Sequence, residues 1–138
     1  MTLADLENTF PYGLHDTFLM GFTVSFPHGT AVLDVLINVT RNEPEFDPEY
    51  KRANIYLNGL VAFVVEIPWV VGPMDGPLDI CSFDTTEYQY PGFSKIPPGE
   101  QKKFRSLYVG KPWDNYIHIA AASAEVVWDD SGIYVWGS

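Results

Sequence analysis

The sequence predicts a mainly β chain, one domain over residues 1–138, built as an antiparallel β-sandwich or a partly open barrel with a short N-terminal helix. Three observations carry that expectation. Residues 18–26 alternate with a period of two, as a strand with one buried face does. Connectors rich in Gly and Pro separate the later strand-like segments. Hydrophobic residues make up 46%, aromatics 15% and charged residues only 19% of 138 positions, enough apolar surface for one core and too little charge for a disordered chain.

The elements follow in chain order. Thr2 and Asp5 have the spacing of a capping box, which predicts a short helix over residues 3–8, ended by the approach to Pro11. After Leu14-His15-Asp16-Thr17 a strand begins, with Phe18, Met20, Phe22, Val24 and Phe26 as its apolar face and Leu19, Gly21, Thr23 and Ser25 opposed. Pro27-His28-Gly29 supplies a turn. Residues 30–40 return antiparallel, with Val32, Asp34, Leu36 and Asn38 on one face. Glu43, Glu45, Asp47 and Glu49, spaced by Pro44 and Pro48, read as an exposed acidic loop.

Residues 53–67 are strand-like throughout. Asn58-Gly59 in their middle is either a hairpin turn or a bulge in one bent strand. A loop over 68–77 leads to a short strand over 78–83, and 88–99 form a further connector. A strand over 104–109 ends at Gly110-Lys111-Pro112, and 116–128 form a long alternating segment. Taking Asp129-Asp130-Ser131-Gly132 as a hairpin loop opposes Trp128 to Ile133 and Val126 to Val135.

Charge narrows the partners. With 18 acidic and 8 basic residues the net charge is -10, which repels nucleic acid and anionic membranes. No Lys or Arg precedes Arg41 or follows Lys111, and five of the eight lie within residues 95–111. That asymmetry points to a basic protein partner, or to self-association of this segment with an acidic face. Cys81 is the single cysteine, so an intrachain disulfide and a Cys-type zinc site are excluded and a reducing compartment fits. The first twenty residues lack a basic n-region, and the apolar run 60–65 is too short to span a bilayer, so the expected location is cytoplasmic.

Chemistry-bearing residues are sparse. His15-Asp16 is the one place where a base adjoins a carboxylate. Neighbours on a regular strand point to opposite faces, which favours a turn and a cap over a catalytic pair. His15, His28 and His118 show no HxH, HExxH or CxxC spacing, so neither a metal nor a cofactor is expected. His118 alternates with Tyr116 and Ala120, the pattern of a hydrogen-bonded structural histidine. No Gly-x-Ser-x-Gly elbow or phosphate-cradling loop occurs, Cys81 reads as a buried inert thiol, and no residue is designated catalytic. Trp69, Met74, Tyr88, Tyr90, Phe93 and Trp113 stand near Pro/Gly breaks, where aromatics plug the ends of a β fold or anchor a partner.

The order Leu14-His15-Asp16, a strand and its hairpin return, then Ala53-Asn54-Ile55-Tyr56-Leu57-Asn58-Gly59-Leu60 and a late Tyr116-Ile117-His118-Ile119 resembles small uncharacterised bacterial β-proteins with a His-Asp-Ala opening. Some immunity proteins of bacterial toxin systems look like this. Thr17 stands where that pattern has Ala. The resemblance implies one continuous third strand through Tyr56-Leu57-Asn58-Gly59 and brings no catalytic residues.

The functional expectation is a non-enzymatic acidic binding protein, an immunity-like inhibitor of a basic partner. Glu43, Glu45, Asp47, Glu49, Trp69, Tyr88, Tyr90 and Phe93 are its partner-binding residues. Two alternatives stand beside it: a small-molecule-binding or hydrolytic β-barrel with His15, Asp16 and His118 in a cavity, and a homo-oligomeric structural module pairing through residues 133–136.

Overall fold

The computed structural model describes residues 1–40, 48–66, 77–84, 93–110 and 113–135. Thr2 caps α1 (Leu3–Leu6): its hydroxyl accepts from the Asp5 amide at 3.2 Å, and the Asp5 carboxylate accepts from the Thr2 amide at 3.1 Å. These bonds hold the Asp5 carboxyl below the usual carboxylate range. A 3₁₀ turn at Glu7–Thr9 leads to β1 (Pro11–Leu14). Leu3, Leu6, Phe10 and Leu14 are buried in the main core, so this arm packs as part of the domain. Gly13 makes its path possible. At φ 62° a Cβ there would stand 2.0 Å from Glu7 Oε1, the carboxylate that also accepts from the Leu14 amide.

The remaining strands are β2 (Thr17–Ser25), β3 (Thr30–Asn38), β4 (Glu49–Val65), β5 (Leu78–Asp84), β6 (Phe104–Val109) and β7 (Asn115–Val135). They close one antiparallel barrel in the order β2-β3-β4-β7-β6-β5. The sheet is therefore a closed barrel and not a sandwich. A second short helix, α2 (Pro98–Gln101), precedes β6, and among the described residues no helix is long and apolar enough to cross a membrane.

Leu19, Leu33, Val35, Ile37, Ala53, Ile55, Leu57, Leu107, Val109, Ile117 and Ile119 are at most 2% exposed and fill the interior, as side chains do in small barrels. Each large aliphatic member contributes about 1.5–3 kcal/mol by leaving water. On the outer face of β3 and β4, Asp34 and Arg52 form a two-point ion pair, Nε to Oδ1 at 3.0 Å and Nη2 to Oδ2 at 2.6 Å.

Bulges decide which side chains face in. The β2–β3 register shifts between Leu19 and Gly21. Before the shift Thr17 and Leu19 are buried, Met20 is exposed and Phe18 packs on Tyr50 with ring centroids 5.1 Å apart. After it Phe22 and Val24 lie opposite the buried Leu33 and Ala31. The single apolar face expected from Phe18 to Phe26 is therefore broken at Gly21, because one extra residue reverses the phase of the alternation. Beyond it only Phe22 and Val24 share the inward side; Phe22 is still 39% exposed, and Phe26, past the end of β2, is 90% exposed.

Asn58-Gly59 is no hairpin. β4 runs on through Gly59 at φ 60°, and its ladder with β7 shifts again between Leu60 and Ala62. The expected C-terminal hairpin is also absent. Trp128 pairs with Ala53 and Ile133 with Lys51, so the four residues Asp129 to Gly132 of β7 stand against the single Arg52 of β4, and both halves of β7 bond to β4. Ile133 to Val135 are thereby ladder partners of Glu49 to Lys51, and Trp136 lies outside the described residues.

A Cβ at Gly59 would meet Ala122 Cβ at 2.7 Å in addition to the left-handed strain. Gly59→Ala is expected to lower the unfolding free energy by about 1–3 kcal/mol in urea titration. Unchanged stability would show that the bend does not depend on this glycine.

Candidate functional site

Closure of the barrel assembles a polar cluster from residues far apart in sequence. β2 and β5 join through only three pairs, Thr17 with Ile80, Phe18 with Asp79 and Leu19 with Leu78. Just before β2 the chain turns through Asp16 at φ 59°, a conformation Asp tolerates better than most residues. The Asp16 amide donates to the Ile80 carbonyl at 3.1 Å, and His15 Nδ1 donates to the Cys81 carbonyl at 2.7 Å. The turn also brings His15 Nε2 to 3.5 Å from Asp16 Oδ2. Neighbours on a regular strand would point apart, and the left-handed residue removes that obstacle.

The electrostatics of this cluster are one-sided. Burial pushes the Asp79 carboxyl above its ordinary range, and the Asp16 carboxylate adds to the shift against a smaller opposing effect of His15. Tyr50 is pushed up by burial and by the same two carboxylates. The half-buried Cys81 thiol is raised by burial, then by Asp79 and Asp16, against the Gly110 amide, with Asp114 adding a little. It stays protonated and is a poor nucleophile at neutral pH. Among the described residues no Lys or Arg forms an ion pair with Asp16 or Asp79.

A second polar constellation lies across β6, β7 and the end of β4. Ser106 and His118 are direct cross-strand partners, with Ser106 Oγ 2.6 Å from His118 Nδ1. His118 Nε2 bonds to the Glu66 carboxylate. One tautomer serves both contacts, Nε2–H donating to Glu66 and Nδ1 accepting the Ser106 hydroxyl. The Tyr116 ring stacks on the imidazole at 5.7 Å and 13°. The order serine, histidine, carboxylate is that of a nucleophilic triad with the two ring nitrogens exchanged. His118 is 0% and Ser106 1% exposed, so in this conformation the group ties strands together and is closed to substrate.

The sequence-designated residues fare differently. His15 and Asp16 meet at the β2–β5 seam and are exposed. His118 is buried with Ser106 and Glu66, neither of which bonds to His15 or Asp16. The three do not form one constellation. Glu49 is 7% exposed as the first residue of β4, where its carbonyl accepts from the Val39 amide, so it is not part of an exposed loop. Ladder pairing with β7 draws it into the sheet. Phe93 is half-buried and packs edge-on against Phe104 at 6.4 Å. Glu43, Glu45, Asp47, Trp69, Tyr88 and Tyr90 lie outside the described residues.

Asp79, Ser106 and Glu66 had no sequence signal. Their partners are distant in sequence, Glu66 and His118 standing 52 residues apart for example, and only the strand register reveals them. Among the described residues no group of three His, Cys, Asp or Glu side chains is placed to hold a metal ion. No protein-family model, curated protein or solved structure matches the chain.

The raised Asp79 carboxyl makes stability pH-dependent. A carboxyl that holds its proton more tightly when folded favours folding at pH below its ordinary value of 3.8, and that advantage disappears as pH rises through the elevated value. In its ionised form Asp79 therefore weighs against the fold. Asp79→Asn is expected to raise the melting temperature at neutral pH, with the gain shrinking to nothing below 3.8. A gain independent of pH would refute the electrostatic origin.

Proposed function

We propose that the protein is a non-enzymatic binding domain whose acidic face receives a basic protein partner, in the manner of an immunity protein. The observation that carries this reading is the crowding of Asp16 and Asp79 at the seam with no Lys or Arg paired to either among the described residues. The Asp79 carboxyl, whose proton affinity is raised by burial and by the neighbouring Asp16 carboxylate, gains when an incoming Lys or Arg supplies a positive charge beside it. The net charge of -10 extends that attraction beyond contact distance and speeds encounter with a cationic surface. The barrel interior, filled by aliphatic side chains, favours recognition at the surface over capture of a ligand inside.

The test is native mass spectrometry of the protein isolated from its own cells, followed by titration of any co-purifying basic protein against Asp16→Lys and Asp79→Lys variants. Binding that weakens by about tenfold or more on each charge reversal, and that declines with salt, supports the reading. Glu43, Glu45 and Asp47 are reversed separately, which distinguishes attraction by that run from docking at the seam. A partner that binds all variants equally, or that carries no basic surface, overturns the proposal.

One observation favours a second reading, a hydrolytic barrel: the hydrogen-bonded order Ser106, His118, Glu66. It requires the Ser106 hydroxyl to become reachable. A fluorophosphonate probe that labels the protein, with labelling lost in Ser106→Ala, would replace the binding reading by this one. Under the structural role, no labelling occurs and Ser106→Ala costs about 1–3 kcal/mol, because His118 Nδ1 loses its hydroxyl partner inside the protein.

A further inference from the structure

The same acidic chain carries a pocket of the opposite sign. Lys102, Lys103 and Arg105 line a cavity of about 360 Å³ between the start of α1, the turn leading into β6 and the middle of β7, with Leu3, Ala4 and Ala121 among its apolar lining. Three of the eight basic residues of the chain thus meet at one concavity. Their charges are only partly satisfied. Lys103 pairs with Glu100 at 2.9 Å, and Arg105 uses Nη1 on the Phe104 carbonyl at 2.8 Å. Asp5, on α1, is engaged in the cap. Among the described residues Lys102 has no ion-pair partner, and neither has Arg105.

We propose that this pocket binds a small organic carboxylate with a short aliphatic body. Arg105 presents the guanidinium fork that matches a carboxylate, and Lys102 adds a compact positive charge at the rim. The small side chains of Ala4 and Ala121 leave room for an apolar stem over Leu3. The volume sits near the lower end of small-molecule sites, which suits a ligand of few atoms. A chain of net charge -10 repels anions at long range, so binding here rests on local contacts with these cations and that lining. A second copy of the chain, with the same net charge, is a poor occupant. The site is independent of the acidic seam and does not rest on the reading proposed for it.

The experiment is a titration of the isotope-labelled full chain with acetate, butyrate, hexanoate and octanoate, followed by amide shifts in NMR. Octanol and inorganic phosphate serve as comparators. The expected result is saturable shifts centred on residues 102–105 and 121–122, with affinity rising along the acid series and no saturation by octanol. Lys102→Gln with Arg105→Gln is expected to weaken binding by about tenfold or more. Ala4→Leu, which fills the cavity without altering charge, is expected to abolish the chain-length gain, and it keeps the test sharp if the double variant fails to fold. Absence of saturable shifts at these amides overturns the proposal, as does binding that survives both variants. Phosphate binding as tightly as octanoate overturns the carboxylate assignment.

Discussion

The three-pair junction between β2 and β5 is the constraint on which the rest of the molecule depends. Along the other seams the ladders are longer, nine pairs between β3 and β4 for example, and most of these strands are joined by chain neighbours or by extended pairing. At β2 and β5 few backbone bonds hold the circle. The bonds added by the turn before β2, Asp16 amide to Ile80 carbonyl and His15 to Cys81 carbonyl, extend that short junction by side-chain and turn contacts. The buried aliphatic core behind it supplies the remaining cohesion.

The electrostatic character of the seam follows from this geometry. Residues on paired strands that start from independent turns come together regardless of their charge, and here the meeting sets Asp79 near Asp16. Elsewhere the protein meets such encounters with a partner of opposite sign, as Arg52 does for Asp34. The contrast is informative because a balanced pair on the outer face of β3 and β4 and an unbalanced pair at the closure occur in one sheet. Stability alone would favour the first arrangement at both places.

Polarity is also distributed unevenly around the barrel wall. The buried Ser106 and His118 join β6 to β7 by a hydrogen bond where each polar atom needs a partner, and His118 reaches on to the half-buried Glu66 just after β4. Beside the N-terminal arm, alanines and cations leave a concavity in place of a packed layer. The long strands β4 and β7 connect these regions, and the bend at Gly59 lets β4 follow the curvature of a small barrel past the end of β3.

By itself the sequence determined the local structure: the Thr2–Asp5 cap, the β2–β3 hairpin around Pro27-His28-Gly29, the shared face of Val32, Asp34, Leu36 and Asn38, and the strands over β5 and β6. Each of these depends on residues within a few positions of one another. Tertiary structure alone decided that the sheet closes as a barrel, that a bulge reverses the inward face of β2, and that residues 129–132 continue β7 along β4 instead of forming a hairpin. It also decided that His118 meets Ser106 and Glu66, while His15 and Asp16 meet Asp79 and Cys81. The physical reason is the same in every case. Alternation specifies two faces of a strand but not its register, and a single extra residue or a distant ladder partner exchanges those faces without leaving any trace in composition or spacing.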